Sequence, residues 1–422
     1  MKKIFLIVCI FGCLAPVSAQ VNPVNQDETK VPVFTLPDIL TCRDGERITS
    51  VAQWEKKRRP ELLALFASQM YGEVFTDYTG MSCSSEVLVE NPNDLEGTAI
   101  SKQIMIRFKR GNVVRELLLL MYLPKALKGK APVFLSYNYN GNHSISTDPN
   151  ILVSPSCARI SSDDPAAARG NQVRRWPLEM IINEGFGLVT FCYHDVFPDN
   201  KAMKDESMLA LAADYENRKN DPHATQALGA WAWGLSRVVD YLETVEQIDN
   251  KRIAAMGHSR QGKAVLWAGA QDPRFAVIIS NDSGCGGAAL SKRQFGETVN
   301  AITTNFPHWF CPVFTQYANN EELLPFDQHE LVALMAPRPV YIASAQEDGW
   351  ADPKGEYLSG YYAGPVYALY GLKGLETNEM PEINAPVMNH VGYHIRTGVH
   401  DVTDFDWNRY IQFAKKHFLK SY

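Results

Sequence analysis

The chain has no excess of positive charge. Its 422 residues carry 41 Lys+Arg against 47 Asp+Glu, a formal net charge of −6. Nothing there holds a polyanion, so nucleic acid is not an expected partner. Cysteine is scarce, eight in all and too sparse for a disulfide scaffold, and no C-x-x-C pair offers a zinc site. No Gly-rich dinucleotide loop occurs, so no metal or organic cofactor is implied. Past the first residues there is no apolar run of about 18, the length a membrane span needs. Internal repeats are absent too. What remains is ordinary globular composition, 45% hydrophobic and 21% charged. That rules out disorder, a collagen-like repeat and a simple coiled coil. The length admits one large α/β domain or two to three smaller ones.

The N-terminus reads as a leader. Lys2 and Lys3 precede an apolar run from Ile4 to Cys13, and Val17-Ser18-Ala19 forms a small-residue cleavage site before Gln20. This predicts a signal peptide over 1–19 and export to the periplasm or the medium. A rival reading lipidates Cys13, against which the bulky Phe11 counts. Cleavage leaves Cys42, Cys83, Cys157, Cys192, Cys285 and Cys311. Cys285 and Cys311 are the first candidates for a bridge, with buried free thiols as the alternative. Residues 20–35 are polar and Pro-rich and read as a flexible arm, disordered or loosely docked; 36–422 reads as a single catalytic domain.

Periodicity then sets the class. Trp54, Leu62, Leu65, Phe66 and Met70 recur at helical spacing between a Thr49 or Ser50 cap and Gly72. Strand-like runs at Ala99–Phe108 and Val113–Leu123 flank a turn at 109–112. From Pro132 onward, short wholly apolar strands begin at Val133, Phe186, Arg252, Phe275 and Pro339. Helical stretches at Pro177–Glu184, Thr225–Glu243, Arg260–Ala270 and Glu330–Ala336 lie between them. Strands without polar alternation are buried on both faces, which predicts a mostly parallel sheet covered by helices.

The sharpest motif is Met256-Gly257-His258-Ser259-Arg260-Gln261-Gly262-Lys263, between a buried strand and a helix. A serine on such a turn projects from the sheet's carboxyl edge, and the next N–H faces a developing oxyanion. The second glycine comes one position later than in G-x-S-x-G. An ordinary capping serine is the competing reading. A nucleophilic serine needs a base and an acid that orients it, in the chain order serine, acid, histidine. His400, His390 and His394 compete for the base. Asp282 and Asp348, each just past a predicted strand, compete for the acid.

Gly257-His258-Ser259-Arg260-Gln261-Gly262-Lys263 resembles the nucleophile motif of the glucuronoyl esterases, carbohydrate esterase family fifteen. Ser283-Gly284-Cys285-Gly286-Gly287, Asn305-Phe306-Pro307-His308-Trp309-Phe310, the stretch from Glu347 to Pro353 and the stretch from Gly398 to Trp407 resemble the same family. The resemblance implies an α/β-hydrolase fold, a three-layer sandwich around a central mostly parallel sheet, with an N-terminal extension. It implies Ser259 as nucleophile and His400 as base, and leaves the acid open between Asp282 and Asp348. It also implies an oxyanion-side role for Arg260 and sugar-binding roles for Lys263, Glu297 and Trp350. The implied substrate is the ester joining a glucuronic acid branch of glucuronoxylan to a lignin alcohol. A cysteine where His258 stands makes a disulfide in fungal members, and that bridge is missing here. The loop Tyr139-Asn140-Gly141-Asn142-His143 after the first parallel strand suits an oxyanion side or a plain turn. Competing functions are an acetyl or feruloyl xylan esterase, a serine peptidase of the same fold and a non-catalytic carbohydrate-binding relative. The oligomeric state stays open, a monomer being admissible.

Overall fold

The apolar runs condense into a single sheet. The computed structural model describes residues 24–160 and 164–418; the expected leader over 1–19, with Cys13, lies outside them. Among the described residues the sheet has ten strands, numbered along the chain and ordered β1-β2-β3-β5-β4-β6-β7-β8-β10-β9. One flank is antiparallel: β1 (Ser82–Asp94), β2 (Ala99–Arg110) and β3 (Val113–Pro124). The β2–β3 hairpin turns at Gly111, whose φ of 58° suits a residue without Cβ. Then come β5 (Gly187–Cys192), β4 (Ala131–Asn138), β6 (Ile248–His258), β7 (Phe275–Asn281), β8 (Val340–Ala345) and β10 (Val391–Arg396), all parallel to one another. The short β9 (Val387–Met388) pairs antiparallel at the far edge.

Helices cover both faces, which makes three layers. On one face, the helices Ala227–Leu242 and Arg260–Gln271 pack with the N-terminal helical segment. That segment runs from Val51 to Tyr71, and its Trp54, Leu62, Leu65, Phe66 and Met70 are buried as the spacing predicts. Its turns widen to π-type over Trp54–Arg58 and Ala67–Tyr71. Gly72 ends it because Thr225 passes close: a Cβ there would lie 2.3 Å from Thr225 Cα. On the other face, Leu178–Asn183 and Asp404–Phe418 enclose a smaller core centred on Trp407.

Three expectations change. Strand β1 is unforeseen because it is exposed along nearly its whole length, so no apolar alternation marks it. Strand β10 is unforeseen because Gly392, His394 and Arg396 interrupt its apolar character, although all six positions are buried. The described part of the arm, from residue 24, is docked rather than loose. Asn25 O accepts from Gly296 N at 2.8 Å, and Glu28 pairs with Arg293 at 2.6 Å and Lys354 at 3.0 Å. Cys285 and Cys311 stand as separate buried thiols, and every cysteine among the described residues is free. Among the described residues no helix is long and apolar enough to cross a membrane.

Trp407 offers a direct test of the smaller core. It is fully buried, meets Phe134 edge-on at 5.4 Å and donates its indole N–H to Arg175 O at 2.9 Å. Trp407→Ala should cost about 3–5 kcal/mol in urea unfolding, the range for deleting a packed aromatic. A loss under about 1 kcal/mol would mean that this face packs otherwise.

Candidate active site

Ser259 sits between β6 and the helix Arg260–Gln271 with φ 56° and ψ −128°, a strained conformation for a residue with a side chain. The turn is held by its neighbours: Ser259 N donates to Asn281 O at 2.8 Å, and Gly262 N to Ser259 O at 2.9 Å. Its two glycines answer to space. A Cβ on Gly257 would lie 2.3 Å from Gln261 O, and one on Gly262 would lie 3.0 Å from Gly257 O. Gly262 therefore does the work of the second glycine of G-x-S-x-G one position late, because the first helical turn folds back against Gly257. The turn has the geometry of a nucleophile elbow rather than of a capped helix: Ser259 makes no side-chain cap to the helix it precedes.

Strand direction separates the three histidines. β10 runs parallel to β8, so its carboxyl end meets the loop carrying Asp348. His400 lies past that end, and its Nδ1 is 2.5 Å from Asp348 Oδ2. His390 precedes β10, at the opposite end of the sheet, among Asp249, Lys251 and Arg338. His394 lies within β10, wholly buried, with Nδ1 on Tyr341 Oη and Nε2 on Asp406, both at 2.9 Å. Burial pushes its imidazole below the ordinary range, so it is a structural member of the core.

Asp282 is close by but differently placed. It follows β7 with φ 44°, and its Oδ2 accepts from Asp401 N at 3.3 Å and faces Arg396 at 3.6 Å. One oxygen of each carboxylate and one nitrogen of His400 all lie within 4.8 Å of one another. Burial, aided by Glu356 and Asp348, holds the Asp282 carboxyl well above the carboxylate range. Of the two candidate acids, Asp348 thus meets the imidazole directly, and Asp282 supports the loop behind it.

Several buried groups that the sequence reading missed hold these loops. Arg396 donates to Val399 O at 3.0 Å and Asp401 O at 2.6 Å while paired with Asp406 at 2.8 Å, which pins the His400 loop. Glu356 Oε1 accepts from Ser283 N at 2.7 Å and Gly284 N at 2.9 Å, and Oε2 meets Ser344 Oγ at 2.6 Å. His258 packs its ring against His400, centroids 4.4 Å apart; burial and that neighbour push it well below the imidazole range. Arg396 and Glu356 show no motif, because an isolated buried charge looks in sequence like any surface one.

Ser259, His400, Asp348 and Asp282 line one cavity of about 320 Å³ together with Arg260, Lys263, Glu297 and Trp350. All eight candidate site residues are therefore brought together. Lys263 lies one helical turn past Ser259. It is buried, and Nζ donates to Ser283 O at 2.5 Å and Cys285 O at 2.6 Å, with Glu297 at 3.7 Å. Burial raises the Glu297 carboxyl despite that lysine. Trp350 is 40% exposed, a ring standing at the mouth rather than in the core. Tyr139 donates to His258 O at 2.7 Å, so the loop after β4 does flank the elbow, while Tyr137 belongs to the core. The arrangement offers a strained serine, an imidazole held by a carboxylate, a guanidinium beside the serine and a polar pocket with an aromatic rim. That is equipment for acyl transfer.

Comparison with known proteins agrees. The family model described as "Glucuronyl esterase, fungi" matches residues 165–371. A carbohydrate esterase from an unknown prokaryotic organism is 45% identical over 95% of this chain and 94% of its own. A 4-O-methyl-glucuronoyl methylesterase of Wolfiporia cocos is 33% identical over 54% of this chain and 57% of its own. Among solved structures, a promiscuous CE15 esterase from a marine bacterial metagenome superposes with a TM-score of 0.85 at 43% identity, covering 94% of this chain and 100% of that one. A glucuronoyl esterase from Solibacter usitatus gives 0.85 at 40% identity, covering 92% of this chain and 100% of that one.

Glu356 yields a pH test. Burial pushes its carboxyl from the ordinary 4.5 up to about 8. Between those values the unfolded chain releases a proton that the folded chain keeps, so stability falls as pH rises. Glu356→Gln removes the titration and retains an acceptor for the two N–H groups, and Ser344 Oγ, which donates to Oε2, can turn to accept from the new NH₂. Relative to wild type, its melting temperature should gain steadily between about pH 5 and about pH 8. A difference that stays constant over that range would contradict a neutral Glu356.

Proposed function

The chain belongs to the glucuronoyl esterase family and is a carboxylic ester hydrolase, and from that premise we propose that it cleaves the ester between a glucuronic acid branch of glucuronoxylan and a lignin alcohol. The observation that carries this reading is the His400–Asp348 hydrogen bond in the same cavity as Ser259, Lys263, Glu297 and Trp350. Ser259 Oγ attacks the ester carbonyl while His400 takes its proton, and the carbonyl oxygen becomes an oxyanion beside the Arg260 N–H and guanidinium. Collapse breaks the bond to the alcohol, which leaves with the proton from His400. Water, deprotonated by the same imidazole, then attacks the glucuronoyl-serine and frees the acid. Asp348 fixes the tautomer of His400 and stabilises the imidazolium.

The sugar is the acyl part, so its ring stays on the enzyme side throughout. Glu297 suits its hydroxyls, Trp350 gives a flat wall for the ring, and Lys263 chiefly holds the 283–285 turn that shapes the pocket. The alcohol leaves toward solvent and is read loosely. The leader over 1–19 supports export to the periplasm or medium, where such a polymer would be met. Residues 36–422 are read as one catalytic domain because strands from Ser82 to Arg396 build one sheet and the helical segment from Val51 to Tyr71 packs into the same core.

Two experiments test this. Asp348→Asn should lower kcat by about three to four powers of ten, as loss of the orienting carboxylate does elsewhere, with Asp282→Asn far milder. The reverse order would transfer the acid role to Asp282. Trp350→Ala, at an exposed position that does not threaten the fold, should lower kcat/KM on a glucuronate ester roughly tenfold. It should leave a simple acetyl ester nearly unchanged, since that substrate has no ring. Equal losses on both esters, or a wild-type preference for the acetyl ester, would refute the proposed specificity.

A further inference from the structure

Asp199 lies on the loop after β5 and bears no motif, yet its carboxylate gathers groups from three segments of chain. Oδ1 accepts from His308 Nε2 at 2.7 Å and from Trp309 Nε1 at 2.8 Å. Oδ2 accepts from Tyr193 Oη at 3.1 Å and pairs with a terminal nitrogen of Arg260. Its own N–H donates to His194 Nδ1 at 3.0 Å, which anchors the loop. Burial alone would raise this carboxyl, but His308, Arg260 and Trp309 together outweigh it and hold it well below the ordinary range.

The consequence falls on Arg260, the residue after Ser259. Its guanidinium carbon sits 4.7 Å from the Trp309 ring centroid, 5.5 Å from Phe306 and 5.9 Å from Tyr139. The rings confine the guanidinium sideways, and Asp199 restrains it by one end. Its Nε–H is buried and has no partner among the described residues. A long, flexible side chain is thus held with a donor to spare in the wall of the reaction cavity.

We propose that Asp199 is the positioning residue for the oxyanion side: it fixes Arg260 by one nitrogen so that the rest of the guanidinium meets the carbonyl oxygen as charge develops there. This rests on the proposed role of Arg260 in acyl transfer. Asp199 also ties that guanidinium to His308 and Trp309, so the loop after the helix Val299–Asn305 and the elbow are set by one carboxylate. An asparagine cannot replace it. Its one carbonyl oxygen can serve either Arg260 or the His308–Trp309 pair, and its NH₂ then faces a donor on the other side.

The test is a double-mutant cycle in the full mature chain, with a glucuronate ester and a simple acetyl ester as substrates and thermal unfolding measured for every variant. Asp199→Asn should lower kcat about tenfold to a hundredfold on both esters with little change in KM, because the lost interaction belongs to the transition state. In an Arg260→Ala background the same change should cost less than about twofold, since nothing remains to be positioned. Should Asp199→Asn not fold, Asp199→Glu, which displaces the carboxylate by one methylene, is read the same way. Equal losses in both backgrounds, or a lowered melting temperature with unchanged kcat, would overturn the proposal. An Arg260→Ala protein with wild-type kcat would remove its premise and overturn both it and the oxyanion role. A loss by Asp199→Asn on the glucuronate ester alone would place Asp199 on the sugar side and overturn the proposal, whereas a wild type that prefers the acetyl ester would count against the substrate reading and leave Asp199 standing.

Discussion

The hydrogen bond between His400 and Asp348 exists because β8 and β10 are neighbouring parallel strands that end in register. Their ladder continues past the last paired residues: Gln346 N donates to Arg396 O at 2.8 Å, and Glu347 N to Gly398 O at 3.0 Å. Those two bonds carry the strand geometry into the loops and bring the carboxylate to the imidazole. On the other side, Asp282 N bonds Ala343 O at 2.7 Å and Ser259 N bonds Asn281 O at 2.8 Å. The carboxyl ends of β6, β7, β8 and β10 are therefore linked as one edge, which is where sites assemble on open parallel sheets.

Behind that edge lies a layer of buried charge. Asp282, Asp348, Glu356 and Asp406 are all buried, and Arg396 pairs with Asp406 while facing Asp282. Ionising every carboxylate in so little space would be costly, and the burden is relieved in two ways. Asp282 and Glu356 have their carboxyls raised by burial, while Asp406 is held down despite burial by His394 and Arg396. The polar groups fix loops that would otherwise be free to move, so the strain at Ser259 is opposed by a rigid surround.

Much of the architecture was legible in the chain. Wholly apolar strands and amphipathic helices announced the parallel sheet, and Gly257 and Ser259 announced the elbow. What stayed hidden has physical reasons. Strand β1 is held by pairing with β2 and buries almost nothing, so no pattern records it. Strand β10 reads as polar because its His394 and Arg396 find partners in Asp406, far from any strand pattern. The choice among three histidines required knowing which end of β10 each occupied, and that depends on pairing rather than on composition. Asp199 and Glu356 act through contacts with distant segments, and one sequence gives no sign of such pairs. The N-terminal arm looked loose because it is polar, yet Glu28 meets Arg293, whose other partner is Asp352 at 2.9 Å.

In the proposed reaction Ser259 carries the glucuronoyl group between the two half-reactions. Rapid-quench mass spectrometry of the protein mixed with a benzyl glucuronate ester tests it most directly. The prediction is a transient mass increase equal to one glucuronoyl group, located by peptide mapping on Ser259 and absent from Ser259→Ala. A label on another residue, a label containing the benzyl alcohol, or full turnover by Ser259→Ala would contradict the claim.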